Sequence, residues 1–275
     1  MENRNNNFIN LPSAIIIAGT IIAIAIIYVK KPVTTNVVSN TTNTEVARSV
    51  NLSPVTSKDN ILGNPSASIK IVEYSDPSCP FCKVFNSTMH QIMEKYEKTG
   101  KVAWVYRSLP LDTPDSEGRV LHKNARKESQ AIECAGIVGG QKKFWEYQKK
   151  LYEVTPAVTQ TSPEGLDQKQ LPLIAKDLGI NTVDFSQCVD SEQAISKVKE
   201  QELSGINAGV TGTPTSFFVL DKTINPTTVS YIKNALVQYR IPEDLLYVSD
   251  DKKMIAMSGA MPVAMVTGII ESLLK

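Results

Sequence analysis

Cys79-Pro80-Phe81-Cys82 stands where an extended apolar segment, Ile69 to Tyr74, gives way to a helical pattern, and few folds place two cysteines at such a junction. A thiol there lies at a helix N-terminus, where unpaired backbone N–H groups and the helix dipole stabilise a thiolate. Pro80 suits the first helical position, and Thr213-Pro214 lies far downstream, ahead of another β-branched run. Together these features point to redox chemistry rather than packing. Disulfide exchange needs one accessible thiolate to attack and a second thiol to resolve the mixed disulfide, and a two-residue spacer puts both sulfurs on one helical turn. Cys79 is therefore expected to be the exposed attacker and Cys82, one turn inward, the buried resolving thiol. A structural staple or half of a zinc site uses the same spacing. A tetrahedral zinc needs two more ligands, however, and Cys134 and Cys188 stand apart behind long spacers.

Glu73 interrupts the apolar run six residues before Cys79, where a carboxylate is expensive to bury without a purpose. Two readings stay open for it: a proton relay for Cys82, or a solvent-facing position on an edge strand. Thr213-Pro214 likewise reads as a cis peptide or as an ordinary trans turn.

Around the cysteine pair the periodicity predicts a βαβ unit: a strand over Ile69 to Ser75, a helix from Pro80 to about Lys98, and a strand from Val102 to Arg107. Phe81, Phe85, Met89, Ile92 and Tyr96 form an apolar stripe at helical spacing, expected to pack on the sheet. After a loop over Leu109 to Gly118, helical patterning runs almost without a break to about Gly209. Its candidate helices are Arg119 to Val138, Lys142 to Val154, Gln168 to Leu178, Val183 to Val189 and Glu192 to Asn207, with a loop over Thr155 to Gly165. Further strands are expected at Thr215 to Leu220 and Lys253 to Met257, a helix at Thr228 to Arg240, and a final amphipathic helix from Pro262 to Leu274. His90 and His122 have no ligand-spaced partner and read as surface helix residues.

Ahead of this domain, Leu11 to Val29 is an uncharged, isoleucine-rich stretch of 19 residues, long enough as a helix (about 28 Å) to cross a bilayer's hydrocarbon core. It lacks a convincing small-residue cleavage site, so an uncleaved anchor is expected over a removed signal. Residues 30 to 60 are rich in Thr, Asn, Ser and Val and read as a flexible tether. Arg4 precedes the apolar stretch and Lys30-Lys31 follow it, which taken alone leans against export. The domain is still placed on the extracytoplasmic side, because large domains translocate largely regardless of charge and four cysteines suit an oxidising compartment. With 29 basic against 28 acidic residues, nothing suggests nucleic-acid binding.

Residues 61 to 275 resemble the DsbA family, whose thioredoxin-like fold is interrupted by a helical domain. The resemblance rests on IKIVEYSDPSCPFCKVF, AIECAGIVGGQKKFWEYQKKLY, FSQCVDSEQAI, GVTGTPTSFFVL and SGAMPVAMVTGIIESLL. It implies that Cys79 attacks and Cys82 resolves, that Glu73 occupies a buried-acid position, and that Pro214 is a cis-proline facing the disulfide, with Thr213 pairing to an extended substrate. Phe81 departs from the pattern, since strongly oxidising members carry His there. The segment Asp221 to Asp251 is longer than the turn the resemblance implies. Cys134 and Cys188 fall on two predicted helices and are expected to form a structural disulfide rather than two buried thiols, since an exported chain rarely leaves two thiols unpaired.

The expected architecture is thus α/β: a thioredoxin-like fold over 61–275 with a helical insertion at about 116–209, preceded by a tail (1–10), one transmembrane helix (11–29) and a flexible linker (30–60). The expected activity is disulfide formation in exported polypeptides with cysteine thiols, at the cell membrane, with a membrane redox partner for recycling and no metal or other cofactor. Its rivals are a reductase or isomerase of the same fold, and a non-enzymatic tethered module that binds peptides or metal.

Overall fold

The computed structural model describes residues 50–156 and 165–275. The tail, the expected anchor over Leu11 to Val29 and most of the linker lie outside the described residues, as does most of the loop expected over Thr155 to Gly165. Among the described residues no helix is long and apolar enough to cross a membrane.

A six-stranded mixed sheet forms the core. Its strands are β1 (Asn60–Gly63), β2 (Ile69–Ser75), β3 (Val102–Ser108), β4 (Thr215–Leu220), β5 (Leu246–Val248) and β6 (Met254–Ser258), in the order β1-β3-β2-β4-β6-β5. β2 and β3 run parallel and every other pair is antiparallel. The near-continuous apolar runs of β2 and β3 are those of strands covered on both faces, and all seven residues of β3 are buried.

One face carries Ile69, Ile71, Trp104, Tyr106 and Phe218, packed under α1 (Pro80–Tyr96), the long helix α2 (Ala125–Val154) and the C-terminal helix. The other face, with Val72, Tyr74, Val105 and Phe217, is covered by Val50, Leu52 and Val55 and by the chain around Ala208 and Val210. The folded body therefore begins ahead of the boundary expected at residue 61. Asn60 pairs with Tyr106 in the ladder, and Asp59 takes the buried Arg107 guanidinium at 2.8 Å. The polar composition of 50–60 conceals this, because the partners it satisfies are far away in sequence.

Between β3 and β4 the insertion comprises α2, α3 (Gln170–Asp177), α4 (Thr182–Val189) and α5 (Glu192–Asn207). Asn181 caps α4 by accepting the N–H groups of Val183 and Asp184, and Ser191 caps α5 through Ala194. α2 merges two of the expected helices across a kink at Gly140, whose φ of 80° is a conformation glycine adopts freely. It starts at Ala125, not Arg119, so residues 119–124 are a loop. A disulfide between Cys134 and Cys188, with Cα atoms 5.7 Å apart, joins α2 to α4. α5 approaches β2 closely: a Cβ on Gly205 would sit 2.9 Å from the Tyr74 ring.

After β4, the long segment forms α6 (Pro226–Tyr239), a short 3-10 turn and β5, which lengthens the sheet edge before β6 and α7 (Val263–Leu273) complete the domain. α7 is tied to α1 by Lys95 and Tyr96, both bonded to Glu271. β1 and β5 were not among the expected strands; four and three residues are too short to show an alternation.

Candidate active site

β2 ends at Ser75 and the chain turns through Asp76-Pro77-Ser78 into α1. Cys79 is the N-cap residue of α1, Pro80 takes the first helical position, and the Cys79 N–H closes the turn on the Asp76 carbonyl at 3.1 Å. Both cysteines of the pair are free thiols. Cys79 is not exposed as expected but keeps 5% of its surface, while Cys82 keeps none. The cover comes from the far end of the fold: the Thr213–Pro214 peptide is cis, and the Cys79 thiol donates to the Thr213 carbonyl at 3.5 Å.

The two sulfurs have opposite acidities. The Cys79 thiol is lowered to about 6: the Cys82 thiol donates to it, outweighing the cost of burial, and the Cys82 and Phe81 backbone N–H groups and the Thr213 side chain add to the effect. Cys82 is pushed well above its ordinary value, by burial first and then by the thiolate beside it. One sulfur is thus built to carry charge at neutral pH and the other to hold a proton.

Phe81 does not join the apolar stripe under which it was placed. It is 65% exposed, whereas Phe85, Met89, Ile92 and Tyr96 are buried; the first turn of α1 lies next to the loop that follows β2, so its outer face stays open. Val84, also exposed, extends this apolar surface. A groove of about 710 Å³ runs between loop 109–121 and the end of α5, lined by Leu111, Leu121, Ile206, Val210 and Thr211.

Glu73 is on the central strand β2, fully buried, with Tyr106 and Ser216 beside it in the ladder. The edge-strand reading is thereby removed. The Trp104 indole donates to Oε2 at 2.9 Å, and burial pushes the carboxyl up to about 7 against the pull of its polar neighbours. Near this carboxyl the hydroxyls of Ser75, Tyr152 and Tyr106 are joined to one another by hydrogen bonds of 2.9 and 3.1 Å, while Glu73 Oε1 has no partner among the described residues. Burial first of all raises both tyrosines well above their ordinary values, so their hydroxyls keep their protons.

A second buried ionisable group was not singled out in the sequence. Asp76 donates its backbone N–H to Cys82 Sγ at 3.4 Å, and its fully buried carboxylate accepts from the N–H groups of Ser78 and Leu111 at 2.7 Å each. Its Oδ2 is also 2.8 Å from Nδ1 of His122, which is 5% exposed and not a surface helix residue. Ser78 Oγ donates to Glu128 Oε2 at 2.7 Å, and burial raises that carboxyl to about 7. An acidic residue next to a redox pair is legible in SDPSC, but nothing local shows that His122, 46 residues on, would meet Asp76.

Residues 56–237 match the thioredoxin family model Thioredoxin_4. Among curated proteins the chain is 26% identical over 171 residues to a Rickettsia typhi protein that carries the provisional name protein-disulfide oxidoreductase, a match covering 60% of this chain and 56% of that one. A Rickettsia prowazekii protein of the same provisional name is 26% identical over 163 residues, covering 58% and 54%. The chain thus spans little more than half the length of these curated relatives. Among solved structures, α-DsbA1 of Wolbachia pipientis superposes with a TM-score of 0.58 at 22% identity, over 80% of this chain and 92% of that one. Oxidised BdbD of Bacillus subtilis does so at 0.53 and 24% identity, over 69% and 96%. These likenesses establish the fold: a thioredoxin core with a DsbA-type helical insertion.

Proposed function

This chain belongs to the thioredoxin family Thioredoxin_4, and from that premise we propose that it is a thiol–disulfide oxidoreductase that introduces disulfides into exported polypeptides. The observation that carries the reading is Cys79 capping the N-terminus of α1 against the carbonyl of Thr213, ahead of the cis-proline, with Cys82 wholly buried one turn on; the Cys79 thiol is accordingly lowered to about 6 and Cys82 raised. A stabilised Cys79 thiolate favours the reduced pair, and a pair that favours its reduced form is an oxidant. The provisional names of the Rickettsia proteins support the same class of chemistry.

In the catalytic cycle a client thiolate attacks Cys79 Sγ of the Cys79–Cys82 disulfide. The bond between the two enzyme sulfurs breaks, a bond between the client and Cys79 forms, and Cys82 leaves as a thiolate. Cys82 then takes up a proton, as its raised pKa demands, with Glu73 the buried acid that serves this transfer across the hydroxyls of Ser75, Tyr152 and Tyr106. A second client thiolate attacks the client sulfur of the mixed disulfide and releases Cys79 as the thiolate. The client loses two electrons, the enzyme pair gains them, and a membrane partner bearing its own disulfide or quinone removes them again. The client segment lies along the cis-proline loop, its backbone paired to Thr213 and its apolar side chains in the groove between Leu111, Leu121 and Ile206.

Leu11 to Val29 anchors the chain in the cell membrane with the catalytic domain on the extracytoplasmic side. Thiol labelling from either side of intact membranes tests this placement. The direction of electron flow is tested by equilibrating the purified pair with glutathione buffers while following oxidation of a reduced, unfolded client. An oxidase sits far toward the reduced pair and oxidises the client; an equilibrium far toward the disulfide, with no client oxidation, identifies a reductase instead.

A further inference from the structure

A buried imidazole, that of His122, is bonded to the turn that carries the cysteine pair. We propose that His122, acting through Asp76, is a positioning residue for the cysteine pair, favouring the reduced form more strongly when its ring is protonated than when it is neutral. This rests on the oxidoreductase reading above and assigns a pH-responsive control to the same site.

The geometry links the groups in one path. Asp76 touches the resolving cysteine directly, its N–H on Cys82 Sγ at 3.4 Å, and the carboxylate of the same residue meets His122 Nδ1 at 2.8 Å. Asp76 is fully buried, and among the described residues its carboxylate meets the His122 ring and the N–H groups of Ser78 and Leu111. Nδ1 holds its hydrogen toward the carboxylate in both states of the ring, so it is Nε2 that gains or loses the proton. With the ring charged, the His122–Asp76 pair is neutral overall. With the ring neutral, a buried negative charge stands uncompensated beside the cysteines and opposes a thiolate there.

Among the described residues, the ionisable groups that act most on His122 are Asp76 from the turn before α1, Cys79 at the start of α1, and Glu128 from α2. Burial alone would push the imidazole down, but the hydrogen bond and charge of Asp76, helped by Cys79 and Glu128, hold it above its ordinary value. The neighbouring arginines are committed elsewhere, Arg119 to Asp115 and Glu117, Arg126 to Asp112 and Glu202. Glu128 reaches the network through Ser78, and burial raises its carboxyl to about 7, so it needs its own control.

The test measures two quantities on the full chain, the pH dependence of Cys79 alkylation and the equilibrium of the pair with glutathione, in wild type, His122→Asn, Asp76→Asn, the double variant and Glu128→Gln. Asn keeps a donor toward Asp76 but cannot take the charge. The expected result for His122→Asn is a Cys79 titration shifted to higher pH and an equilibrium about threefold to tenfold less favourable to the reduced pair. In the Asp76→Asn background the same change should have no effect, and Glu128→Gln should not reproduce it. A His122→Asn protein within twofold of wild type in both quantities, or an effect that persists without Asp76, overturns the proposal. Should a variant fail to fold, the wild type decides by itself: linkage is reciprocal, so reducing the pair must raise the pH at which the His122 ring titrates by NMR, and an unchanged titration overturns the proposal. Failure of the oxidoreductase reading is distinguishable, because it shows in wild type as a client left unoxidised.

Discussion

The Cys79 sulfur lies 3.5 Å from the carbonyl oxygen of Thr213, a residue 134 positions away, so the two halves of the thioredoxin core meet at the reactive thiol. This contact covers Cys79 without sealing it and places the backbone ahead of Pro214 where a client strand would lie. The same arrangement leaves Cys82 wholly inside, one turn along α1. The two sulfurs thus differ in access and in acidity, as the proposed division into attack and resolution requires.

That division has a covalent consequence. Cys82→Ser should accumulate mixed disulfides with reduced client proteins, all on Cys79, whereas Cys79→Ser should form none, because Cys82 is neither accessible nor ionised. Non-reducing electrophoresis followed by peptide mapping reads this out. Adducts on Cys82, or a reversible complex without any covalent bond, would point to a binding module instead.

Glu73 should control both rate and stability. Its carboxyl stands near 7 in the folded chain, well above the range of an unfolded Glu, so it favours folding below the unfolded pKa and loses that advantage as pH rises through about 7. Glu73→Gln should therefore match wild type in stability at pH 4 and exceed it at pH 8, by up to about 3 kcal/mol. Denaturant melts at the two pH values test the sign. Client oxidation by the same variant should slow and lose its inflection near pH 7.

Cys134–Cys188 closes a loop with a sequence separation of 54 residues away from the reactive pair. Replacing both by Ala should cost on the order of 4 kcal/mol through the freed unfolded chain. Thermal melts of the double variant should show this loss while Cys79 alkylation keeps its pH profile; a shifted profile would mean that the two cysteine pairs are coupled.

Asp59 should prove part of the folded domain rather than of a tether. Its carboxylate pairs with Arg107 at 2.8 Å, and both side chains are almost fully buried. Asp59→Ala strands the guanidinium among the carbonyls of Ser53 and Pro54 and the Tyr74 hydroxyl, and should cost about 3–5 kcal/mol. A denaturation midpoint unchanged from wild type would return residues 50–59 to the linker.

Much of this fold is legible in the chain because its determinants are local. Ile69–Ser75 and Thr215–Leu220 carry β-branched and aromatic runs that only buried central strands need, and Ser191 followed by Glu192 marks the start of α5. The cysteine pair and Thr213-Pro214 announce themselves by residue type. What stayed hidden depends on distant partners. His122 read as a surface helix residue because helical periodicity extends back to Arg119, yet the chain keeps turning until Asn124 so that the ring can reach Asp76. Phe81 fits the stripe of α1 by spacing, but only the turns beyond it lie over the sheet. β1 and the Asp59–Arg107 pair are invisible for a similar reason, since a short polar strand is specified by the neighbour it joins.

The central claim is that Cys79 is a thiolate at neutral pH, and the rate of its alkylation by iodoacetamide as a function of pH, in reduced wild-type protein, tests it most directly. Because the folded-state pKa is depressed, the stabilisation of the reduced form is fully present above the unfolded thiol's range and is lost as pH falls through about 6. The expected result is a single rise in rate with its midpoint near pH 6, absent in Cys79→Ser. A midpoint at the ordinary thiol value, about 8.5, would contradict it.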